Sequence, residues 1–116
     1  MRLTDDPGTR AWLEGEPKLE WDAGNLEKNQ KHDVAPGDIE ALMAVRPVFV
    51  GRIVEPAHDE PRWLILGRDL RGRGLALIFT RRGDALRPIR LSRPMRENER
   101  RLYEQAQEVQ GPQAQR

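Results

Sequence analysis

The stretch from Arg62 to Thr80 constrains the fold more than any other part of the chain. It contains two short apolar runs, residues 63–66 and 75–79, separated by a polar connection with three glycines. Two such runs around a glycine-bearing turn are typical of a β-hairpin. Nearly every position in each run is apolar, which indicates strands buried on both faces. The sequence therefore predicts a hairpin at the centre of a sheet, with another layer covering at least one face.

Arginines close the ends of this hairpin: Arg62 and Arg68 bracket the first run, and Arg73 and Arg81 bracket the second. The two arginines of each strand are an even number of residues apart, so we expect each pair to emerge on one face. Residues 45–96 carry twelve arginines, no lysine and five acidic residues, for a net charge of +7. Because guanidinium groups bind phosphate in a planar, bidentate manner, this basic segment predicts a phosphate-binding surface. The alternative is an arginine-rich surface that simply faces solvent.

Length and composition favour a small cytoplasmic domain. The 116 residues are enough for one modest core. No apolar run approaches the ~20 residues needed to cross a membrane, and an N-terminus with Asp5 and Asp6 does not resemble a signal peptide. The chain has no cysteine, and His58 has no second histidine nearby, so we predict no metal site and no cofactor.

The remaining pattern predicts an α+β fold with the order β-α-α-β-β-β-β-α, in which an antiparallel sheet carries its helices on one side. Pro36 is a typical first helical residue, and Ile39, Leu42 and Met43 form an apolar stripe behind it. The other predicted elements are strands at 19–21, 48–54 and 86–93, and helices at 23–31 and 96–109.

Three segments follow from this pattern. Residues 1–18 show little periodicity and predict an irregular extension, residues 19–109 predict a single domain, and the polar residues 110–116 predict a flexible tail. In the last helix, Leu102, Ala106 and Val109 have the spacing of a buried stripe.

A series of short motifs between residues 19 and 105 has the order and spacing of a known family. The motifs are Leu19-Glu20-Trp21-Asp22, Asn25, Lys31-His32 with Val34, Glu60 with Arg62, Leu66-Gly67-Arg68, Gly72-Arg73, Phe79-Thr80, and Arg93-Pro94-Met95 followed by Glu99 and Tyr103. This series resembles the BrnT toxin family. The resemblance implies a RelE-like, microbial-ribonuclease-like fold and an endoribonuclease that forms the toxin half of a bacterial type II toxin–antitoxin pair.

The same resemblance implies the partners. The substrate would be RNA, and the chain would be neutralised by a BrnA-like antitoxin of ribbon-helix-helix type. Operator DNA would be contacted only through the antitoxin complex, and no membrane would be involved. Asp33 stands where the family usually has glycine, and the family's Ile-Ser-Ala-Arg motif is altered at Ile89–Arg93. A catalytically silent relative that binds antitoxin or nucleic acid is therefore the alternative, and a plain arginine-rich interaction module is a third.

Metal-independent cleavage of RNA needs a base for the 2′-hydroxyl, a proton donor for the leaving 5′-oxygen and cations around the phosphorus. Glu60 is the preferred carboxylate base, and the alternative interpretation is a loop acid paired with an arginine. His32 is suited to acid or base chemistry, or to capping the end of a helix. Tyr103 is suited to stacking a base or to packing between helix and sheet. The predicted catalytic residues are His32, Glu60, Arg62, Arg81 and Arg93, and the predicted RNA-binding residues are Lys31, Arg68, Arg73, Arg82 and Tyr103.

The predicted phosphate clamp is a subset of these residues at strand ends. It consists of Arg62, Arg68, Arg81 and Arg93.

Overall fold

The computed structural model describes residues 1–21, 35–89 and 93–114. In this part of the chain, strands and helices form an α+β structure around a mostly antiparallel open sheet, which confirms the predicted class. The strands are β1 (Arg2–Thr4), β2 (Lys18–Leu19), β3 (Val48–Glu55), β4 (Trp63–Arg68), β5 (Gly74–Arg82), β6 (Ala85–Pro88) and β7 (Arg93–Pro94), and the helices are α1 (Pro7–Glu14), α2 (Pro36–Ala44) and α3 (Glu97–Ala114).

The β4–β5 hairpin lies at the centre of the sheet, as the sequence predicts. The strand order is β1-β3-β4-β5-β6-β2, and β7 also pairs with β5. Strands β4 and β5 are antiparallel, from Trp63 opposite Phe79 to Arg68 opposite Gly74. Strand β2 runs parallel to β6. The single strand predicted over residues 86–93 is represented by two short strands, β6 and β7, between which residues 90–92 lie outside the described chain.

Helices cover both faces of the sheet, so the prediction of helices on one side is wrong. The reason lies in the hairpin, whose strands are apolar on both faces and need a layer on each side. Helices α1 and α2 cover one face, here called the α1/α2 face, and α3 covers the other, the α3 face. Buried on the α1/α2 face are Ile39, Leu42, Phe49, Trp63, Ile65, Leu75, Leu77, Phe79 and Leu86. Buried on the α3 face are Ile53, Leu64, Leu66, Ala76, Ile78, Met95 and Tyr103.

The N-terminal segment is regular, whereas the sequence predicted an irregular extension. Strand β1 pairs with β3, and β3 approaches it so closely that a Cβ atom at Gly51 would lie 2.5 Å from the carbonyl oxygen of Thr4. Helix α1 begins after Asp6, whose side chain accepts a hydrogen bond from the backbone N–H of Thr9 at 3.2 Å. Helix propensity alone does not explain these elements, since eight residues form a marginal helix without tertiary contacts. The division into domains stays a proposal.

Helix α3 turns a different face to the sheet from the predicted one. Tyr103 is buried, whereas Leu102 has 42% of its surface exposed. The helix continues to Ala114, beyond the predicted end at residue 109. Helix α2 begins at Pro36, the predicted first helical residue, and buries Ile39 and Leu42 as expected, while the helix predicted over 23–31 lies outside the described residues. Among the described helices, none is both long and apolar enough to cross a membrane.

Candidate functional site

Three arginines and one carboxylate meet at the end of the α3 face where β4 begins and β5 ends. Arg62 directly precedes β4 and is two residues before Leu64, so both side chains point to the α3 face. On β5, Thr80 and Arg82 alternate with Arg81 and point to the same face as Ile78. Arg87 of β6 lies opposite Thr80 and therefore shares that face. These side chains line a cavity of about 160 Å³ together with Glu60 and Ile89. We call this cavity the arginine cleft.

Glu60 and Arg82 form a two-point ion pair at the mouth of the arginine cleft. Arg82 Nε lies 3.2 Å from Glu60 Oε2, and Arg82 Nη2 lies 3.3 Å from Glu60 Oε1. The side chains are 45% and 51% exposed. An ion pair this exposed contributes only about 0–1 kcal/mol, so a ligand phosphate can compete with Glu60 for Arg82 at little cost.

The position of Arg62 is fixed through its neighbour. The hydroxyl of Thr80 donates a 2.8 Å hydrogen bond to the carbonyl of Pro61, and the N–H of Ile53 donates one of 2.8 Å to the carbonyl of Arg62. These bonds hold residues 61 and 62 between β3 and β5. The Nε of Arg62 is buried and has no hydrogen-bond partner in the described part of the chain. A buried unpaired donor is costly, and an anion bound beside this guanidinium offers the missing acceptor.

Arg81 lies on the opposite face from Arg62, because adjacent residues of β5 point to opposite sides of the sheet. Its guanidinium carbon is 4.3 Å from the centre of the Trp12 ring, and its Nη1 donates to the hydroxyl of Thr9 at 3.3 Å. Trp12 in turn stacks on Phe79. Arg81 thus contacts helix α1 and does not line the arginine cleft.

Arg93 is held by an acid of helix α3. Its Nη1 and Nη2 lie 2.6 Å and 3.0 Å from the two carboxylate oxygens of Glu99. Their side chains are 15% and 10% exposed. Burial raises the pKa of Glu99, but the hydrogen bonds from Arg93 and the Arg96 backbone outweigh it, and the pKa lies below its usual value. This pair fixes the entry into α3.

Two further predicted RNA-binding residues pack against each other at the other end of β4. Arg68 is six residues from Arg62 along an extended strand, a distance of about 20 Å. Its guanidinium covers the ring of Tyr103, whose centre is 5.5 Å away. Tyr103 is 5% exposed, so its ring packs in the core and is not presented for stacking with a base. The interpretation of Tyr103 as a packing residue therefore fits the structure better than the binding one.

Arg73 belongs to a buried polar turn between β4 and β5. Its Nε donates to Asp69 at 2.9 Å, and its Nη2 donates to Asp38 of α2 at 3.3 Å. Asp69 also accepts from the backbone N–H groups of Arg71 and Arg73 at 2.9 and 2.8 Å. Burial raises the pKa of Asp69, but these hydrogen bonds outweigh it and leave the pKa below its usual value. The arrangement ties the turn to α2.

The four arginines of the predicted phosphate clamp are thus not gathered in one place. Arg62 lies in the arginine cleft, while the other three contact α1 or α3 at separate positions. Lys31 and His32 lie outside the described residues. Arg87 was missed by the sequence analysis, although the turn at 83–84 sets the register that places it opposite Thr80. Among the described residues, no three or more His, Cys, Asp or Glu side chains are grouped to hold a metal ion.

Comparison with known families identifies the chain. Residues 21–99 match the family described as the ribonuclease toxin, BrnT, of type II toxin–antitoxin systems. The matched segment includes every residue that lines the arginine cleft and excludes β1, α1 and β2. No individual curated protein matches the chain. The family match covers well over half of the 116 residues, and the chain therefore belongs to the BrnT family of ribonuclease toxins.

Proposed function

We propose that this chain is a metal-independent endoribonuclease that cleaves RNA in the bacterial cytoplasm and thereby arrests growth. The observation that carries the proposal is the arginine cleft, where one carboxylate stands beside three guanidinium groups. A base next to concentrated positive charge is what transfer of a phosphoryl group to a neighbouring hydroxyl requires. The RelE-like fold inferred from the family resemblance is part of the same proposal.

The proposed reaction begins with loss of a proton from the ribose 2′-hydroxyl to the carboxylate of Glu60. The 2′-oxygen then attacks phosphorus, the bond from phosphorus to the 5′-oxygen breaks, and that oxygen takes up a proton. Arg62 and Arg87 stabilise the charge on the phosphoryl oxygens, which is greatest in the transition state. When a substrate phosphate draws Arg82 away, the Glu60 carboxylate becomes free to act as base.

The proton donor is proposed from residue chemistry. His32 is the candidate acid for the leaving oxygen, because an imidazole changes charge near neutral pH, and Lys31 is the candidate for an additional phosphate contact. Both residues lie in the matched segment, outside the described chain. Arg93 is proposed as a positioning residue, since its guanidinium is occupied by Glu99.

Growth arrest and RNA cleavage test the proposal directly. Expression of the chain on its own should stop bacterial growth, and the purified chain should cut RNA in the presence of EDTA. Cleavage that disappears with EDTA and returns with magnesium would contradict metal independence. A folded chain that neither stops growth nor cuts RNA would contradict the enzyme assignment.

That second result would favour the catalytically silent relative. The ion pair between Arg93 and Glu99 supports this alternative, because it occupies an arginine that the sequence analysis predicts to be catalytic. A silent relative would still bind its antitoxin but would not stop growth. Growth arrest and antitoxin binding, measured together, therefore distinguish the enzyme from the silent relative.

A type II toxin binds a cognate antitoxin, and we propose one of BrnA-like, ribbon-helix-helix type that links the complex to operator DNA. The excess of arginine over acidic residues in 45–96 favours an acidic segment of that partner on the arginine cleft. The antitoxin encoded beside this chain should co-purify with it when both are expressed. A chain that remains unbound beside that neighbour would count against this assignment.

The salt dependence of RNA binding should report the number of arginine contacts. With three phosphate contacts on a single strand, the logarithm of the affinity should fall with that of salt concentration with a slope of about −2, or about −0.7 per contact. The measurement uses fluorescence anisotropy with a 2′-O-methyl oligonucleotide, which lacks the attacking hydroxyl.

A matched pair of variants calibrates this titration. Arg87→Ala should make the slope shallower by about 0.7, because it removes one contact. Arg101→Ala should leave it unchanged, since Arg101 pairs with Glu97 on the exposed side of α3 and lines no part of the arginine cleft. A binding curve that is flat between low and physiological salt would remove the phosphate-binding role of the cleft.

A further inference from the structure

The sheet has an open edge along the first half of β3. On the inner side of this strand, Val48 and Phe49 pair with β4. On the outer side, β1 pairs with β3 from Arg52 to Glu55, and after Thr4 the chain turns away toward α1. Among the described strands, none pairs with the outer side of residues 48–50. Some main-chain N–H and C=O groups of this stretch, here called the open edge, therefore point away from β4 and lack a ladder partner in the described chain.

A cavity of about 630 Å³ lies against the open edge. Phe49 belongs to the α1/α2 face and Val48 to the α3 face, and both line this cavity. Leu13 of α1 reaches it from the first face and Ala106 of α3 from the second. A cavity lined from both faces of a sheet lies at the edge of that sheet. We call it the edge groove, and its lining residues are Arg10, Leu13, Glu14, Glu16, Arg46, Pro47, Val48, Phe49 and Ala106.

We propose that the edge groove binds an extended segment of the cognate antitoxin, which adds to the outer side of β3 as a strand. The proposal rests on the proposed toxin function and deepens it, because it gives the antitoxin a contact separate from the arginine cleft. The two sites lie at opposite ends of β4, since Arg62 directly precedes that strand and Val48 lies opposite Leu66 near its end. A partner held in the edge groove inhibits cleavage only if a further part of it covers the arginine cleft.

An open sheet edge selects a peptide over other ligands. An extended peptide that adds to such an edge gains affinity from main-chain hydrogen bonds and specificity from its alternate side chains. Successive side chains of the added strand point to opposite faces of the sheet. Both faces are apolar at the edge groove, with Leu13 and Phe49 on one and Val48 and Ala106 on the other. The bound segment should therefore carry apolar side chains at successive positions.

The charges around the edge groove define the partner further. The side chains of Glu14, Glu16 and Arg46 are exposed and make no ion pair or hydrogen bond with another described residue. Arg10, by contrast, is paired with Asp5. The two carboxylates repel RNA phosphates and attract a basic residue of a peptide, while Arg46 attracts an acidic one. The edge groove thus suits a protein segment of mixed charge and does not extend the RNA site.

The backbone of Glu16 supports a role for its carboxylate. Glu16 lies just after α1 with a φ of +54°, and its N–H donates to the carbonyl of Leu13 at 3.0 Å. Glycine is the usual residue at such a helix end, because it adopts a positive φ without strain. A side chain kept in a strained conformation at the wall of a cavity points to a function that folding alone does not require.

Hydrogen exchange of the main-chain amides tests strand addition directly. The full chain is measured alone and in complex with the antitoxin encoded beside it. An added strand should slow exchange at the open edge about tenfold or more, since each ladder hydrogen bond contributes on that order. Unchanged exchange at residues 48–50 in the complex would overturn the proposal. So would protection that appears in the chain alone and grows with its concentration, because a second copy would then occupy the edge.

A set of variants tests the carboxylates of the edge groove. Glu16→Gly should raise the melting temperature, because it relieves the positive φ, yet weaken antitoxin binding about two- to fivefold. The double variant Glu14→Lys/Glu16→Lys should weaken it about tenfold or more, because it repels the basic residue of the antitoxin. Glu104→Gln is the control, since Glu104 is exposed on α3 and does not line the edge groove. If the double variant binds as tightly as the parent, the edge groove is not the docking site.

RNA cleavage keeps this test separate from the test of the enzyme. No residue of the edge groove lines the arginine cleft, so the double variant should cleave RNA like the parent when antitoxin is absent. If the parent cleaves nothing but the antitoxin protects the open edge, the edge groove stands and the enzyme assignment fails. If the parent cleaves and the antitoxin inhibits it without that protection, the enzyme stands and the edge groove is wrong. A chain that the antitoxin does not bind overturns the edge groove and leaves cleavage to be judged by itself.

Discussion

Replacement of Arg62 by alanine is expected to lower the turnover number for RNA cleavage by about two to three orders of magnitude. Arg62 lines the arginine cleft, and residues 61 and 62 are hydrogen-bonded to β5 and β3 on either side. Because the backbone at Arg62 is held on both sides and the Nε of its side chain is buried, the guanidinium needs little reorganisation when charge develops on the phosphoryl oxygens. Its loss should therefore affect the transition state far more than the bound substrate, and RNA affinity should change much less than turnover.

The measurement is single-turnover cleavage of a labelled RNA, after circular dichroism has shown that each variant folds. Arg101→Ala is the matched control, since it also removes one arginine but from the exposed Arg101–Glu97 pair on α3, and it should cleave like the parent. Arg81→Ala distinguishes the structural placement from the sequence hypothesis. Because Arg81 contacts Trp12 and Thr9, its replacement should lower the thermal stability of the chain and leave the turnover number close to that of the parent. If Arg62→Ala cleaves as fast as the parent, the assignment of the arginine cleft is wrong.

The contrast between Arg62 and Arg81 shows where sequence reasoning succeeds and where it stops. Within one strand, the sequence shows which residues are an even number of positions apart and so share a face. It correctly places Arg62 with Arg68 on one face, and Arg73 with Arg81 on one face. The face relation between two strands depends on their register, which here sets Trp63 opposite Phe79. That register places Arg62 on the α3 face and Arg81 on the α1/α2 face. The predicted clamp combined residues from both.

The last helix illustrates a second limit. The spacing of Leu102, Ala106 and Val109 predicted the buried stripe, yet Glu99 and Tyr103 are the buried residues among the described side chains of α3, which do not include Val109. The apolar pattern of a helix with so many charged residues is weak evidence about orientation. The orientation of α3 follows instead from the ion pair between Arg93 and Glu99, which joins the first turn of α3 to β7. Tyr103 lies one turn after Glu99 on the same side of the helix and therefore packs on the sheet.

The N-terminal segment is the third case. Residues 1–18 contain Pro7, Gly8, Gly15 and Pro17, and short polar segments with such residues are typical of loops. The segment becomes regular through tertiary contacts that no local pattern contains. Trp12 stacks on Phe79, β1 pairs with β3, and the carboxylate of Asp6 joins α1 to the sheet.

Asp6 makes the contact on which this N-terminal unit depends most. Its Oδ2 accepts hydrogen bonds of 2.8 Å from the indole N–H of Trp63 and from the hydroxyl of Thr9, while its Oδ1 accepts from the backbone N–H of Thr9. Burial raises the pKa of Asp6, but the hydrogen bonds from Trp63 and Thr9 outweigh it and lower the pKa below its ordinary value of 3.8. One carboxylate thus caps a helix and satisfies a buried indole.

Asp6→Ala should lower the free energy of unfolding by about 2–4 kcal/mol. Loss of a helix cap costs about 0.5–2 kcal/mol, and a buried donor left without a partner costs about 1–3 kcal/mol. The donor here is the Trp63 N–H, in a residue that is 6% exposed. Urea unfolding followed by Trp fluorescence and circular dichroism measures the change. Asp5→Ala is the matched control, because Asp5 pairs with Arg10 at the surface, and it should cost less than about 1 kcal/mol.

The pH dependence of stability is a second test of the contact between the Asp6 carboxylate and its partners Trp63 and Thr9. A carboxyl whose pKa is lower in the folded than in the unfolded chain stabilises the folded state at pH values above the unfolded pKa. That stabilisation declines as the pH falls below about 3.8 and is lost once the pH is below the lowered value. Asp69 and Glu99, whose pKa values are also lowered, add to the decline in the parent chain. Asp6→Asn should retain part of the cap and show a shallower loss of stability in acid than the parent. A variant that unfolds with the parent's acid profile would show that the Asp6 carboxylate does not anchor the N-terminal unit.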